Sequence, residues 1–406
     1  MRITLFIILA FLLGWQIGHK DLEVKWANSK PLFSVTNREV PKNVSLEFKL
    51  FWDTWDLLEK NYIDKKALDP QKMFYGAISG MVSAIGDPYT VFLPPEQQKT
   101  TKEELNGSFE GVGIQLGFNE DKPSMGTNEK RLVVVTPLEG TPAKRAGIKP
   151  KDLIVKIDDK DTLGMSLPEA VNLIRGPKGS QVTLTIFREG ESDTKNYTLT
   201  REVVVVKSVE LKVNDTKNSK KVAVIKLSRF GERTRDEWRT VVDQIIAQNP
   251  DGLILDVRNN PGGFLEGAVF ISSEFLEDGD VVLQENNKGE RTQFKVNREG
   301  KLTKLPILVL INKGSASASE IVAGALQDRK RAMLIGEKSF GKGTIQEAQD
   351  LSSGTGIHIT VAKWLTPSGK WVNETGGLEP DVKIDMDKDS DKDPQLEKAL
   401  ELLDNG

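Results

Sequence analysis

The chain has 406 residues, 38% of them hydrophobic and 28% charged, and a net charge of −3. These values describe an ordinary globular protein with room for two or three domains, and the charge gives nucleic acid no reason to bind. Cysteine is absent and the only histidines are His19 and His358, which removes disulfides, thiolate chemistry and Cys- or His-built metal sites and leaves only carboxylate sites open.

Met1-Arg2 precedes an apolar stretch that ends at Gly18. Its run of about 15 apolar residues is short for a spanning helix, which needs ~20, and equally suits the core of a signal peptide. Residues 1–18 are therefore a signal anchor or a signal peptide. The lack of a small-x-small site near Asp21 favours the uncleaved anchor. Arg2 favours a cytoplasmic N-terminus, a bias that Lys20 weakens. Either way the rest of the chain is expected outside the cytoplasm, in the periplasm or at the cell surface. It is expected there membrane-anchored through this segment or secreted.

Residues 19–43 are polar, contain Pro31 and Pro41, and read as a linker. Over 44–105, Phe51, Trp52, Trp55, Leu57 and Leu58 recur at helical spacing, and so do Phe74, Ala77, Ile78, Met81 and Val82. A small helical module is predicted, part of its surface meeting a second copy in a homodimer. Asp87-Pro88-Tyr89-Thr90 then breaks the helical pattern.

From 106 to 202 the texture is β-rich. Gly111-Val112-Gly113-Ile114 leads into an alternating segment, not the helix and lysine a phosphate loop needs, so nucleotide binding is rejected. Strands are predicted at 131–135, 152–157 and 181–186, and helices at 141–148 and 166–174. With Pro142-Ala143, Ala146-Gly147-Ile148 and Ile174-Arg175-Gly176, this stretch resembles a PDZ domain. The resemblance implies a groove in which an extended peptide adds to an open strand edge. Gly111, Val112, Gly113 and Ile114 would lie near its terminal carboxylate, and helix 166–174 with Arg175 at its end would form the other wall.

From 203 strands alternate with helices: strands at 222–227, 252–257 and 305–312, and a helix at 234–248 with Trp238, Val241, Val242, Ile245 and Ile246 on one face. That alternation predicts an α/β core through 384. The Asp- and Lys-rich residues 385–393 read as solvated, and 385–406 as a polar C-terminal tail.

Three pieces could carry chemistry. A strand ending at Asn312 runs into Ser315, Ser317 and Ser319 and then a helix, a junction that exposes a nucleophile in the field of a helix N-terminus. The bland role for any one serine is an N-cap. Asn260-Pro261-Gly262-Gly263 is either a tight turn or a source of free amides for an oxyanion. Lys342 lies in the lean, apolar Phe340-Gly341-Lys342-Gly343. With no cysteine and no usable histidine, an acyl hydrolase here needs Ser or Thr as nucleophile and a desolvated lysine as base. That lysine must fall roughly three units from ~10.4, at a cost of about 4 kcal/mol to its ammonium form.

Together with Asp87-Pro88-Tyr89-Thr90 and Gly377-Leu378-Glu379-Pro380-Asp381-Val382, these segments make residues 44–384 resemble the carboxyl-terminal processing peptidases, or tail-specific proteases. The resemblance implies a multi-domain α/β protein: a ClpP- and crotonase-like core with an inserted PDZ domain and a helical N-terminal cap. It implies Ser317 as nucleophile, Lys342 as general base and Gln346 as the group orienting that lysine. Gly263 and Ala318 would be oxyanion donors, with Gly262 beside the first. Asp328 is a rival to Gln346, but a carboxylate beside Lys342 would raise its pKa, so Asp328 is read as structural. The implied protein is an exported serine endopeptidase without cofactor or metal. It would act on proteins or peptides with exposed C-termini, and the PDZ domain would gate the site through Arg175. A PDZ adaptor on a catalytically dead peptidase fold is the alternative, against which the intact Ser317, Lys342 and Gln346 argue. A small-molecule esterase or hydratase is disfavoured by the peptide-binding module.

Overall fold

The computed structural model describes residues 47–118, 131–386 and 392–405, and the backbone of 22–27 and 30–35. Residues 1–18 lie outside the described residues, among which no helix is long and apolar enough to cross a membrane. The chain divides into two units, Met1–Phe74 and Tyr75–Gly406.

In the first unit, the segment expected to be a linker contains a hairpin: Leu22–Ala27 pairs antiparallel with Lys30–Val35. Leu22, Val24 and Trp26 alternate with Glu23 and Lys25, a period-two pattern that Pro31 had masked. Helix Lys49–Asn61 buries none of its residues and leaves Leu50, Trp52 and Leu57 exposed. Phe51 and Trp52 meet edge to face at 5.0 Å, and Trp55 stands 6.2 Å from each.

The second unit holds the PDZ-like sheet and the core. The PDZ sheet runs Lys195–Thr200, Gln181–Phe187, Leu153–Ile157, Leu132–Pro137, Ile114–Phe118, so Ile114–Phe118 is an edge strand. Val112, Leu132, Val134, Ile154, Ala170 and Leu184 are wholly buried beneath it. Helix Leu167–Ile174 begins at a capping box in which the Ser166 amide donates to Glu169 at 2.9 Å.

The core sheet runs Val209–Asp215, Lys221–Leu227, Gly252–Asp256, Ile307–Ile311, Met333–Gly336, Val382–Lys383. Only its first pair is antiparallel. The parallel strands are buried on both faces, which explains their unbroken Val, Ile and Leu runs. Trp238, Val241, Val242 and Ile245 of helix Thr234–Gln248 are buried at i, i+3, i+4 and i+7, whereas Ile246 is half exposed, one step off that face. A second sheet runs Arg291–Lys295, Asp280–Asn286, Gly356–Leu365, Thr344–Asp350, and Val91–Leu93 adds to Gly356–Leu365.

The polar-tail expectation for 385–406 fails beyond its first residues. Pro394–Asn405 is a helix whose Leu396, Ala399, Leu400, Leu402 and Leu403 pack with Val222, Ile254 and Leu310 on the outer face of the core sheet. The leucine spacing outweighs the charge that suggested solvent.

The topology fixes the location of any site. Gly252–Asp256, Ile307–Ile311 and Met333–Gly336 are adjacent and parallel, so their carboxyl ends open side by side. From those three ends emerge the Asn260–Gly263 turn, the serine loop and the lysine loop. Parallel α/β sheets place their ligand crevices at that edge.

Candidate active site

The serine loop separates its three serines. Ser315 Oγ donates to the Val257 carbonyl at 2.8 Å and accepts from the Asn312 amide at 3.0 Å. Ser319 Oγ donates to the carbonyls of Asn260 at 2.9 Å and Ala316 at 2.8 Å. Both are fully buried and structural. Ser317 alone is partly open, at the N-cap of helix Ala318–Asp328. Its backbone sits at φ 55° and ψ −117°, a conformation costing an L-residue ~1–3 kcal/mol that the surroundings must hold. Strand–turn–helix strain of this kind lifts a side chain clear of the sheet edge.

Glu320 holds it. This side chain is wholly buried, and four donors converge on it. Oε1 accepts from Ser339 Oγ at 2.5 Å and the Gly341 amide at 2.7 Å. Oε2 accepts from the amides of Ser317 and Lys342, both at 2.9 Å. Burial raises the Glu320 pKa, and the four hydrogen bonds oppose that rise by favouring the carboxylate. A single oxygen thus joins the backbone of the candidate nucleophile to that of the candidate base. The sequence reading gave Glu320 no role, although Ser317-Ala-Ser-Glu320 carries the capping-box spacing that signals it.

Lys342 is fixed at both ends of its backbone: beyond the Glu320 bond, its carbonyl accepts from Trp364 Nε1 at 2.9 Å. The ammonium lies 4.7 Å from the centroid of the Tyr89 ring. Burial lowers the Lys342 pKa, and the charges of Asp87 and Glu320 only partly offset it. Burial also pushes Asp87 up, but hydrogen bonds from Thr360, Thr90 and the Tyr89 amide outweigh it and leave that carboxyl below its usual range. Tyr89 and Asp87 are the second contribution the sequence reading missed. Asp87-Pro88-Tyr89-Thr90 carried only the resemblance, and nothing in its spacing points across the fold to Lys342.

Gln346 does not meet the expectation set for it. Its amide nitrogen donates to Thr344 Oγ1 at 2.9 Å and Thr360 Oγ1 at 3.1 Å, and among the described residues no hydrogen bond joins it to Lys342. The ladder shifts register between Ile345 and Gln346, which sets Gln346 opposite Thr360. Asp328 accepts from the Ser368 amide at 2.9 Å and ties down the turn after Gly356–Leu365, consistent with a structural role.

The oxyanion assignment needs one correction. The Gly262 amide donates to Asn260 Oδ1 at 2.9 Å, so it is committed. Ala318, as the first helical residue, has an amide with no intrahelical acceptor, and the Gly263 amide has no acceptor among the described residues. Gly262 contributes space instead. A Cβ there, at φ +102°, would stand 2.8 Å from the Ala316 carbonyl oxygen and Ser317 Cβ and 2.9 Å from the Ala318 nitrogen. The turn is locked to the serine loop. Asn259 and Asn312 exchange bonds at 2.8 and 3.0 Å, and the Ala316 amide donates to the Asn260 carbonyl at 2.9 Å.

In the PDZ domain, Gly111, Val112, Gly113, Ile114 and Arg175 line one groove of about 270 Å³ beside Val171 and Ile174. Arg175 is 3.3 Å from Glu103, on helix Pro95–Asn106, and 4.7 Å from the centre of the Phe109 ring. It meets none of the residues around Ser317 and Lys342 among its described contacts.

A match to the model of peptidase family S41 spans residues 221–384, and a PDZ-domain model matches 133–188. The N-terminal domain model of the activating protease CtpB matches 19–97. A carboxyl-terminal-processing protease of Synechocystis sp. is 38% identical over 87% of this chain and 82% of its own length. The chain belongs to the carboxyl-terminal processing proteases of family S41, with their PDZ domain. The carboxy-terminal processing protease CtpA of Bacillus subtilis is 37% identical, covering 82% of this chain and 68% of that protein. Among solved structures, a photosystem II D1 C-terminal processing protease is 31% identical, with a TM-score of 0.51 over 89% of this chain and 98% of its own.

Proposed function

We propose that this S41 protease is a serine endopeptidase working through a Ser317–Lys342 dyad and recognising C-terminal tails of protein substrates through its PDZ groove. The carrying observation is the Glu320 carboxylate, one oxygen of which binds the amides of both Ser317 and Lys342. Neutral Lys342 would take the proton from Ser317 Oγ as it attacks the scissile carbonyl to form a tetrahedral oxyanion, which would collapse to an ester on Ser317 as the C–N bond breaks. The amides of Gly263 and Ala318 would receive that charge. Lys342 would then return the proton to the leaving amine, and water would repeat the sequence to release the acid. An orienting role for Gln346 toward Lys342 would be indirect, through Thr360, which hydrogen-bonds both Gln346 and Asp87. Export follows from the apolar N-terminal run, with this segment as anchor or signal. The exposed apolar face of Lys49–Asn61 is read as a homodimer contact.

The test incubates purified protein with an unfolded substrate bearing an apolar C-terminal tail. Ser317→Ala and Lys342→Ala should each abolish cleavage with the fold intact. Lys342→Arg should fail as well, because guanidinium does not deprotonate near neutral pH. Tail binding without cleavage by the unmodified protein would instead establish the adaptor reading.

A further inference from the structure

Arg258 begins the turn that ends in Gly262 and Gly263, and its side chain is only 12% exposed. Every donor of its guanidinium is engaged. Nε and Nη2 donate to Asp256 at 2.9 and 2.7 Å, Nη1 and Nη2 to Asp393 at 2.8 and 2.7 Å, and Nη1 also to Gln395 Oε1 at 3.0 Å. The same Asp256 oxygen that takes Nε accepts the Arg258 backbone amide at 3.0 Å, so side chain and main chain are held as one piece. Asp393 and Gln395 open the C-terminal helix. Asp393 also accepts the Leu396 amide at 3.0 Å, and the wholly buried Gln395 donates to the Ile384 carbonyl at 2.7 Å. This cage stands on the carboxyl end of Gly252–Asp256, two residues before Asn260, whose side chain takes the Gly262 amide.

We propose that Asp393 and Gln395 are positioning residues for the oxyanion turn, acting through Arg258. The argument rests on the Ser–Lys peptidase reading above. Asp256 satisfies one edge of the guanidinium, and on the other edge the oxygen acceptors are Asp393 and Gln395, with only the weakly accepting Met386 Sδ besides, 3.9 Å from Nη1. A buried N–H without an acceptor is expensive. Without the helix start, Arg258 therefore turns toward water and takes with it the backbone that leads into the turn. The chain's last helix thus does more than cover apolar sheet. Its first turn sets where the Gly263 amide stands relative to Ser317. Oxyanion donors must sit within a few tenths of an ångström of their target, so a small rotation is enough to weaken the step.

The experiment uses the full chain and three variants, with a short peptide substrate and a thermal melt for each. Asp393→Asn should lower kcat by about tenfold to a hundredfold with KM within about twofold, the pattern of an interaction expressed in the transition state. Asp393→Glu should recover most of the rate, because it restores the charged partner. Asp404→Asn is the control. Asp404 accepts from Thr216 and, at 3.2 Å, from the Asn218 amide at the far end of the same helix. It should lower the melting temperature and leave kcat alone. Full kcat in Asp393→Asn, or an equal fall in kcat in Asp404→Asn, overturns the proposal. Ser317→Ala run alongside separates the two readings: if it stays active the peptidase assignment fails, and if it is inactive while Asp393→Asn is unaffected only this inference fails.

Discussion

Replacing Glu320 by Gln isolates what the shared carboxylate does. The amide keeps one acceptor oxygen, so one pair of its four donors can be retained. Whichever way the amide turns, the other pair faces an NH2 group: either the amides of Ser317 and Lys342, or Ser339 Oγ and the Gly341 amide. A hydrogen bond to a charged group contributes about 1.5–3 kcal/mol, so two lost bonds would suggest about 3–6 kcal/mol. Removing a buried charge refunds part of this, as the raised pKa of Glu320 indicates. The net stability loss should be about 2 kcal/mol, or roughly 4–8 °C in melting temperature for a domain of this size. Catalysis has no such offset. Ser317 relaxes from its strained backbone and the Lys342 loop loses its tie to it, so kcat should fall by about a hundredfold or more. Peptide turnover under saturating substrate, paired with thermal melting, reads both quantities. An Glu320→Gln protein with full kcat would refute the reasoning, whatever its stability.

Burial lowers the Lys342 pKa and on the Ser–Lys reading the neutral amine is the working base, so kcat should rise with pH along a limb lying below that of free lysine at ~10.4. A flat profile from about pH 5 to 9 would count against Lys342 as base. Gly262→Ala should cut activity by about a hundredfold or more, since its methyl would press on Ser317 Cβ and the Ala318 amide; wild-type turnover in that variant would show that the turn is looser than described. A free C-terminal peptide that fills the PDZ groove should change the turnover of a short untailed substrate, and Arg175→Ala should blunt the response by removing the contacts to Glu103 and Phe109. No change at saturating peptide would mean that the groove only tethers.

What the sequence disclosed followed from short-range pattern. Period-two alternation located the PDZ strands, and continuous Val, Ile and Leu runs located the parallel core strands. Two of their ends pointed to the Ser315–Ser319 loop and the Asn260–Gly263 turn, the lack of cysteine and usable histidine pointed to Lys342, and the family resemblance singled out Ser317 and Gly263. Local pattern left Ser315, Ser317 and Ser319 open and only the resemblance chose Ser317; in the structure burial and acceptors set the three apart. Two corrections were legible and overlooked. Asn260-Pro261-Gly262 is an Asx turn, whose side chain claims the amide two residues on. Leu396, Ala399, Leu400 and Leu403 have helical spacing despite the acidic run before them. The Gln346 register shift, the Tyr89 ring over Lys342 and the Arg258–Asp393 pair were not legible. Each depends on which distant strand or helix end is adjacent in space, and no local propensity encodes that.

The electrostatics of the lysine follow from the same long-range contacts. A base next to two carboxyl groups should be held protonated, yet Lys342 is pulled the other way. Glu320 raises the Lys342 pKa least among the causes, and its charge is already met by four donors within the fold. Asp87 is similarly saturated by Thr90, Thr360 and the Tyr89 amide. Glu320 thus joins the Ser317 and Lys342 backbones, Asp87 is the larger of the two charges that raise the lysine, and desolvation outweighs both. Substrate entering the cleft would displace further water from around Lys342 and strengthen the largest of these causes. On the Ser–Lys reading, binding itself then favours the neutral base, and protease activity is coupled to occupancy of the cleft without any added titratable group.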